Sequence, residues 1–543
     1  MKKRWHAFYP EDIPEEIEIP SISLYELLNR SAKDYPEQAA IIDDNQTISY
    51  QEFKEKVDCL AASLSQLGFK KGDRAALMFP NSAEYCVCYY AVLRLGGIVV
   101  QVNPMYQIGE LEYLLENSRS SWFFSNYFQR GKMSEIKISQ ITKNIYTVND
   151  EKDTLGEEEY SLYDLIERGQ SKEVPEVSIA PKKDLAVLQY TGGTTGKSKG
   201  VMLTHFNLVA NVYQSFIFTT NGLKRPGERV LAVSPFFHVY GMTSCLNLGV
   251  MRSAAIICMK RFDIDHFIDI MKKHKPTLFS GVPTMYIAII NHPEASPEIL
   301  RSLKRCISGS APMPVELMRE FEEKTNSPII EGYGLSECSP VSHRNPVGDH
   351  RKPGSIGIPL PNTEAKVVEQ HNGEEEVPVG EVGELVIKGP QVMKGYWNNE
   401  EETSLALRNG WLYTGDLATM DSEGYFYIVG RKKDLIIASG YNIYPAEVEE
   451  VLYEHPAIKE VCVFGVPSSY RGETVKAVIV PRDNMNPEEE EIIEWCSTRL
   501  ARYKIPKEIA FRSELPKTTV GKVLRRKLVD EEITKSKEQM NNP

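Results

Sequence analysis

Tyr190-Thr-Gly-Gly-Thr-Thr-Gly-Lys-Ser-Lys-Gly200 closely follows the apolar run Leu185-Ala-Val-Leu188. A short apolar run reads as a buried strand, and the glycine, hydroxyl and lysine residues after it read as a loop that can cradle polyphosphate. Glycines let backbone N–H groups turn toward an anion. Thr194 and Thr195 add hydroxyl donors and Lys197 adds positive charge. A purely structural turn would not need both lysines. The P-loop pattern G-x-x-x-x-G-K-[ST] is the obvious comparison, but counting back from Gly196-Lys197 puts Thr191 where its first glycine belongs.

Outward from this loop, Ala75-Ala-Leu-Met-Phe79 and Gly97-Ile-Val-Val-Gln-Val102 alternate with helical patterns, which predicts an α/β fold with helices on the faces of a sheet. Ser23-Leu-Tyr-Glu26 and Ser49-Tyr-Gln-Glu52 both read as capping boxes opening amphipathic helices. Residues 129–183 are polar and are expected at the periphery. From Gly354 to Tyr427 short β-rich runs are broken by Gly and Pro, predicting a small barrel-like β unit that closes the large domain. After Arg431 the pattern becomes a compact α+β unit: helix from Pro445, strands at Val461 and Val475, helix 487–502, strand at Glu508. These changes predict a large N-terminal domain over 1–432 and a small mobile C-terminal domain over 433–543.

The 543 residues are 42% hydrophobic and 25% charged, enough for more than one core. A net charge of −12 argues against nucleic acid as a partner. The nine cysteines form no C-x-x-C pair and no zinc-ligand spacing, so they are expected as reduced thiols in a cytoplasmic protein. The basic start runs into Tyr9-Pro-Glu-Asp-Ile-Pro-Glu15 where a signal peptide needs an apolar stretch, so the sequon at Asn45 is expected to stay idle. Val230 to Met251 carries no Asp, Glu, Lys or Arg over about the length of a membrane span. Pro235, His238, Asn247 and its glycine and serine breaks suit a buried strand-turn-helix lining a pocket better than a transmembrane segment.

Further motifs follow in order: Pro235-Phe-Phe-His-Val-Tyr-Gly241, Ser308-Gly-Ser-Ala-Pro312, Glu331-Gly-Tyr-Gly-Leu-Ser-Glu337, Tyr413-Thr-Gly-Asp416, Gly430-Arg-Lys-Lys-Asp434, Ser439-Gly-Tyr-Asn442 and Pro516-Lys-Thr-Thr-Val-Gly-Lys522. With the loop at 190–200, this ordered set resembles the acyl-adenylate-forming superfamily, which includes acyl-CoA synthetases, firefly luciferase and the adenylation domains of peptide synthetases. The resemblance covers nearly the whole chain. It implies an ATP-dependent acid:CoA ligase that needs Mg²⁺ and takes ATP and CoA as co-substrates.

Residue by residue, the resemblance implies an ATP/AMP site of Thr191, Gly192, Gly193, Thr194, Thr195, Gly196, Lys197, Gly309, Ser310, Ala311, Glu331, Gly332, Tyr333, Gly334, Ser336, Asp416 and Arg431. Tyr333 is similar to the ring that stacks on adenine, Asp416 to the ribose-binding carboxylate with Arg431 as its companion, and Glu337 to the Mg²⁺ ligand. Many relatives have Thr at position 336, and Ser keeps the hydroxyl. Lys522 matches the catalytic lysine that holds substrate carboxylate and α-phosphate together. His238 has a positioning role in the same catalytic set. His238, Gly241, Met242, Gly309 and Gly334 are the implied acyl pocket, with Gly241 leaving room for the chain. Lys433 is the implied hinge and Gly440, Tyr441 and Asn442 the implied CoA channel.

Taken without the family, Asp416 reads as a turn former, His238 as a satisfied core residue and Lys522 as a solvated charge. The implied chemistry is attack of a carboxylate on the α-phosphorus of ATP, then attack of the CoA thiol on the acyl-adenylate. CoA is expected as acceptor because no carrier domain follows Lys522, and an amino-acid substrate is not, because the Phe236-Phe-His-Val segment offers no aspartate. Phe237-His-Val-Tyr-Gly-Met-Thr243 and the N-terminal Tyr9-Pro-Glu-Asp-Ile-Pro-Glu15 look most like bacterial long-chain fatty-acid:CoA ligases, pointing to a medium-to-long-chain fatty acid. A hydroxycinnamate-type acid:CoA ligase is the runner-up. A non-catalytic nucleotide-binding relative predicts loss of Lys522, Glu337 or Asp416, all of which are present, and a P-loop kinase predicts ADP as product. Peripheral membrane association and homodimer formation are left open.

Overall fold

The computed structural model describes residues 3–44, 46–136, 138, 140–148, 154–191, 198–219, 222–309, 311, 313–370, 373–438, 441–468, 472–518 and 521–541. The apolar run at Leu185 forms the strand Leu185–Thr191, inside an eight-stranded sheet. Its parallel part runs through Ile98–Gln101, Arg74–Met78, Trp122–Asn126, Lys143–Thr147 and Glu159–Ser161. Strands buried on both faces read as continuous apolar runs, as Arg74–Met78 and Ile98–Gln101 do. The polar segment 129–183 supplies the outer edge of this sheet, which is a peripheral position.

A second sheet has nine strands in the order Ile358–Pro359, Val341–Arg344, Ile329–Gly334, Arg305–Ser308, Leu278–Gly281, Arg229–Ala232, Ala255–Cys258, Ala39–Asp43, Gln46–Ser49. Its middle is parallel and its ends antiparallel. The small β unit is a five-stranded antiparallel sheet centred on the long strand Trp411–Met420.

Helices cover these sheets. Tyr50–Gln66 opens on the expected capping box: Ser49 Oγ accepts from the Glu52 N–H at 3.2 Å and Glu52 accepts from the Ser49 N–H at 2.8 Å. The matching box at Ser23 does not form. Leu24 is already helical, and the Glu26 carboxylate is taken by Asn29 and Arg30, at 3.0 and 3.2 Å, instead of reaching back. Helix Leu162–Gly169 packs on Tyr50–Gln66 so closely that a Cβ on Gly169 would stand 1.9 Å from the Cys59 carbonyl oxygen. Only glycine permits that approach.

The uncharged segment 230–251 folds as expected, into the buried strand Arg229–Ala232 and a buried helical run that includes the π-helical Met242–Asn247. Among the described residues no helix is long and apolar enough to cross a membrane. All nine cysteines are free thiols and all but Cys59 are buried.

After Arg431 a separate sheet of five strands begins, with helices Pro445–Tyr453, Glu489–Ser497 and Arg525–Asn541. One of its core clusters, from Ile436 through Val463 and Ile479 to Ile505, draws every buried member from this part of the chain. The expected helix 487–502 stops at Ser497. There the Ser497 and Thr498 hydroxyls donate back to the Glu494 and Trp495 carbonyls, at 2.8 and 3.0 Å, and the chain turns away.

Candidate active site

Thr191 ends its strand and pairs with Lys199, which opens the antiparallel strand Lys199–Thr204. The loop therefore joins two strands of a hairpin, whereas a P-loop joins a strand to a helix, so topology and spacing agree in excluding that reading. Gly192, Gly193, Thr194, Thr195, Gly196 and Lys197 lie outside the described residues, as do Ser310 and Gly440. Lys199 reaches Glu402 at 2.5 Å and lies 5.2 Å from the centre of the Tyr396 ring.

Asp416 and Arg431 face each other across neighbouring strands, Trp411–Met420 and Phe426–Arg431. Arg431 Nε lies 2.9 Å from Asp416 Oδ1, and the Tyr333 hydroxyl donates to Oδ2 at 2.6 Å. The Asp416 side chain is only 7% exposed. Its charge raises the Arg431 pKa, while burial first and Asp416 second push the Tyr333 phenol up. A carboxylate has about four acceptor positions, so with two donors in place this one retains capacity for both hydroxyls of a ribose. Sequence spacing separates Tyr333 from Asp416, and the sheets bring them into contact.

Ser336 and Glu337 occupy a single 3₁₀ turn, Ser336–Cys338, after the strand that ends at Gly334. A Cβ on Gly334 would stand 2.1 Å from the Pro340 carbonyl oxygen, so glycine is required where the chain doubles back. The Tyr396 hydroxyl donates to Glu337 Oε1 at 2.8 Å, and the Glu337 carbonyl accepts from the Met393 N–H at 2.8 Å. Tyr396 escaped the sequence reading. Its only signal is the run Gly395-Tyr396-Trp397, which pairs with Val201 and Met202 beside the glycine-rich loop. Glu331 accepts from the Gly354 N–H at 2.8 Å, and burial pushes its carboxyl up to about 8. At neutral pH it is mostly protonated.

Among the described residues no three His, Cys, Asp or Glu gather as a metal cage. The lone carboxylate of Glu337 suits Mg²⁺, which binds through one or two carboxylates plus nucleotide oxygens.

His238 caps a short helical turn, its Nδ1 accepting from the Tyr240 N–H at 3.3 Å. Burial first, and the Lys522 charge second, lower its pKa to about 4. The ring is therefore neutral, with its proton on Nε2. Lys522 comes from the small C-terminal unit, in a tight loop where the Thr518 N–H donates to the Lys522 carbonyl at 2.8 Å and the Lys522 N–H to Thr518 Oγ1 at 3.1 Å. This loop is seated against the large unit: a Cβ on Gly521 would lie 2.9 Å from Thr284 Oγ1 and 3.0 Å from Val282. Lys522 is exposed, with the protein crowding it only on the side where the loop is seated. Desolvation first and Arg431 second lower its ammonium pKa to about 8, against the pull of Asp416.

Gly309 adjoins the Tyr240 ring, where its Cβ would meet Cζ at 3.1 Å. Ala311 is half-buried, and Met242 is buried with its sulfur accepting from Gln101 at 3.1 Å. Gly241 needs correction. A Cβ there would stand 2.3 Å from the carbonyl oxygens of both Ser234 and Pro235, so the missing side chain permits backbone contact and opens no tunnel.

Lys433 lies between Lys432, which bonds Glu384 at 3.1 Å, and Asp434, which bonds Arg525 at 2.9 Å. Tyr441 and Asn442 are on the short strand Tyr441–Ile443 of the small unit. Tyr441 is 56% exposed and stacks on Tyr503 with ring centres 4.6 Å apart.

A two-unit chain with a loop lysine of the second unit in electrostatic reach of an Asp416–Arg431–Tyr333 cluster of the first defines a class of nucleotide-handling enzyme. The chain belongs to the AMP-binding enzyme family: that family model matches residues 28–397, and the model of the AMP-binding enzyme C-terminal domain matches residues 447–522. It is 45% identical over 553 residues to the long-chain-fatty-acid–CoA ligase of Bacillus subtilis, covering 98% of both chains. Among solved structures it is similar to ATP-bound MatB from Rhodopseudomonas palustris, at 30% identity and TM-score 0.85 over 94% of this chain and 99% of that one. It is also similar to the Bacillus subtilis o-succinylbenzoate coenzyme A synthetase MenE in complex with ATP and magnesium ion, at 30% identity and TM-score 0.79 over 92% and 98%.

Proposed function

We propose that this protein ligates a medium-to-long-chain fatty acid to CoA through an acyl-adenylate, releasing AMP and pyrophosphate. The observation that carries the reading is the seating of the Lys522 loop of the small unit, at Gly521, against Val282 and Thr284 of the large one, which puts the lysine within electrostatic reach of Arg431, Asp416 and His238. A cation brought to that place neutralises two approaching anions, the acid's carboxylate and the α-phosphate. Such charge stabilisation is worth several kcal/mol, about 3 for a single well-placed donor.

Asp416 with Arg431 holds the ribose, Tyr333 and the turn at Gly309-Ser310-Ala311 flank the base, and the 191–197 loop and Ser336 hold phosphates. Glu337 would hold Mg²⁺, which supplies Lewis-acid charge at the phosphate oxygens. His238, neutral and fixed by its Nδ1 bond, offers an Nε2–H donor to the acid's carboxylate.

For the second step the unit 433–543 turns about Lys433 against 1–432, withdrawing Lys522 and bringing Gly440, Tyr441 and Asn442 to the thiol path. The separate core of the small unit supports such a movement. The higher identity to a fatty-acid ligase than to MenE favours a fatty over an aromatic acid. Free thiols throughout suit a cytoplasmic location.

The test is product analysis across acids from acetate through oleate to coumarate. AMP, pyrophosphate and acyl-CoA are expected, with the highest kcat/KM on a fatty acid. ADP as product, or coumarate as best substrate, would overturn the reading.

A further inference from the structure

Arg344 is among the largest fully buried side chains, 1% exposed, yet among the described residues its Nε and Nη1 have no hydrogen-bond partner. A guanidinium carries five donors, and a buried cation without a counter-charge is strongly unfavourable. Sheet register places it. Arg344 stands opposite Gly332 on the neighbouring strand, and its Nε lies 3.7 Å from where a Gly332 Cβ would be.

One strand further, Ser308 pairs with Glu331, so the next residue, Gly309, comes beside Gly332. The missing Gly309 side chain faces the Tyr240 ring. Two adjacent glycines therefore separate Tyr240 from Arg344 on one face of the sheet.

The charges around Arg344 do not neutralise it. Burial lowers its pKa to about 10 and, among the described residues, Tyr240 pulls the other way, so the guanidinium stays charged at neutral pH. The nearby Arg252 is a second buried cation, bonded to Thr219 Oγ1 at 2.5 Å and the Phe216 carbonyl at 3.2 Å. Glu228 acts on Arg252 and is bound by Lys304 at 2.7 Å. An apolar acyl chain beside Gly309 and Gly332 would offer the unpaired charge no acceptor.

We propose that Arg344 is a specificity residue of the acid pocket that receives a second carboxylate, so that among medium-to-long-chain fatty acids one ending in an ω-carboxylate is favoured at the length that reaches it. This rests on the ligase reading and narrows its substrate class. A carboxylate supplies both the countercharge and the acceptors that the buried guanidinium lacks.

The test is a ladder of monocarboxylic acids from octanoate to hexadecanoate, each beside its α,ω-dioic counterpart, on wild type, R344M and R344Q. Calorimetric affinity and acyl-CoA formation are both measured. At the chain length that reaches Arg344, wild type should favour the diacid at least about tenfold more than R344M does, because a site built to bond a polar group rejects the analogue lacking it. The change should fall in KM more than in kcat, and R344M should gain on the monoacid.

The same diacid-to-monoacid ratio in wild type and a folded variant at every length would mean an arginine solvated by internal water, and would overturn the proposal. Wild type alone decides if neither variant folds: a ladder without diacid preference overturns it, and a peak at one length supports it. If diacids bind in an Arg344-dependent way but no acid yields acyl-CoA, the ligase reading fails and the subsite stands.

Discussion

Asp416 and Lys522 bring opposite charges within electrostatic reach of each other, and the chain holds them in different ways. Asp416 is buried in a strand, with one oxygen against Arg431 and the other taking the Tyr333 hydroxyl. Lys522 sits on a solvent-touching loop of a unit with its own core, held in place by its own turn and by the contact of Gly521 with Val282 and Thr284. The first site is preorganised by sheet register. The second is delivered. In the proposed two-step reaction this division would let the nucleotide stay bound while the cation that drives adenylation leaves.

Breaking the fixed side should cost most. Glu337→Gln removes the charge proposed to hold Mg²⁺ while its amide oxygen still accepts from Tyr396, so the fold should survive. Pyrophosphate release should fall about a thousandfold, the equivalent of several kcal/mol of lost transition-state stabilisation. An unchanged rate at limiting Mg²⁺ in a folded variant would remove Glu337 from the metal site.

Breaking the delivered side should separate the half-reactions. Lys522→Ala should lower adenylation about a hundredfold to a thousandfold and leave thioester formation from supplied acyl-AMP near wild type. Lys433→Pro should do the reverse, since proline fixes φ and restricts the residue before it, holding the small unit in the described pose. Equal loss of both half-reactions in both variants would mean that the units do not alternate about Lys433.

The pH dependence sharpens the contrast with a smaller effect. Lys522, lowered to about 8, should lose its charge above that pH. Adenylation should then fall about tenfold per unit, with no matching limb in the thioester step. His238, neutral above about 4, contributes no inflection near neutrality. The sign for the seated pose is separate. Below about 8 the lysine is protonated whether seated or released, so seating carries its full penalty. Between about 8 and the ordinary lysine value of about 10.5 a released lysine would hold a proton the seated one has lost, so seating becomes more favourable as pH rises. A pH-independent adenylation rate from 7 to about 9.5 would show that the Lys522 charge is not used.

Local patterns were readable in the sequence where the cause was local. The strand at Leu185, the box at Ser49 and the α+β texture after Arg431 all follow from residues within a few positions of each other. The same S-x-x-E spelling failed at Ser23, because Asn29 and Arg30 compete for Glu26. Contacts across sheets were not readable. Tyr396 meets Glu337 across 59 residues, and nothing in either segment marks the other. Gly241 shows a deeper limit: a missing side chain spells an open pocket and a close backbone approach alike, and only the 2.3 Å distances to Ser234 and Pro235 decide between them. Arg344 gave no sequence signal either, since its lack of a partner is a property of its surroundings.

The smallest predicted effect tests whether the fixed side is complete before nucleotide arrives. Tyr333→Phe keeps the ring proposed to flank adenine and deletes one donor from the buried Asp416 carboxylate. A hydrogen bond to a charged group contributes about 1.5–3 kcal/mol, and Arg431 remains as countercharge, so the loss should lie toward the lower end. In a unit of this size that lowers Tm by about 2 °C. A ribose hydroxyl then bonds an Oδ2 that has no other donor and gains more from it than the already bonded oxygen of wild type, recovering part of what the mutation removed. ATP should therefore raise the Tm of Tyr333→Phe by more than it raises that of wild type, while adenylation falls no more than about fivefold. Thermal unfolding of both proteins with and without ATP decides the matter. A smaller ATP-induced shift in the variant would mean that the Tyr333 hydroxyl itself binds nucleotide, and that Asp416 reaches the ribose only with its help.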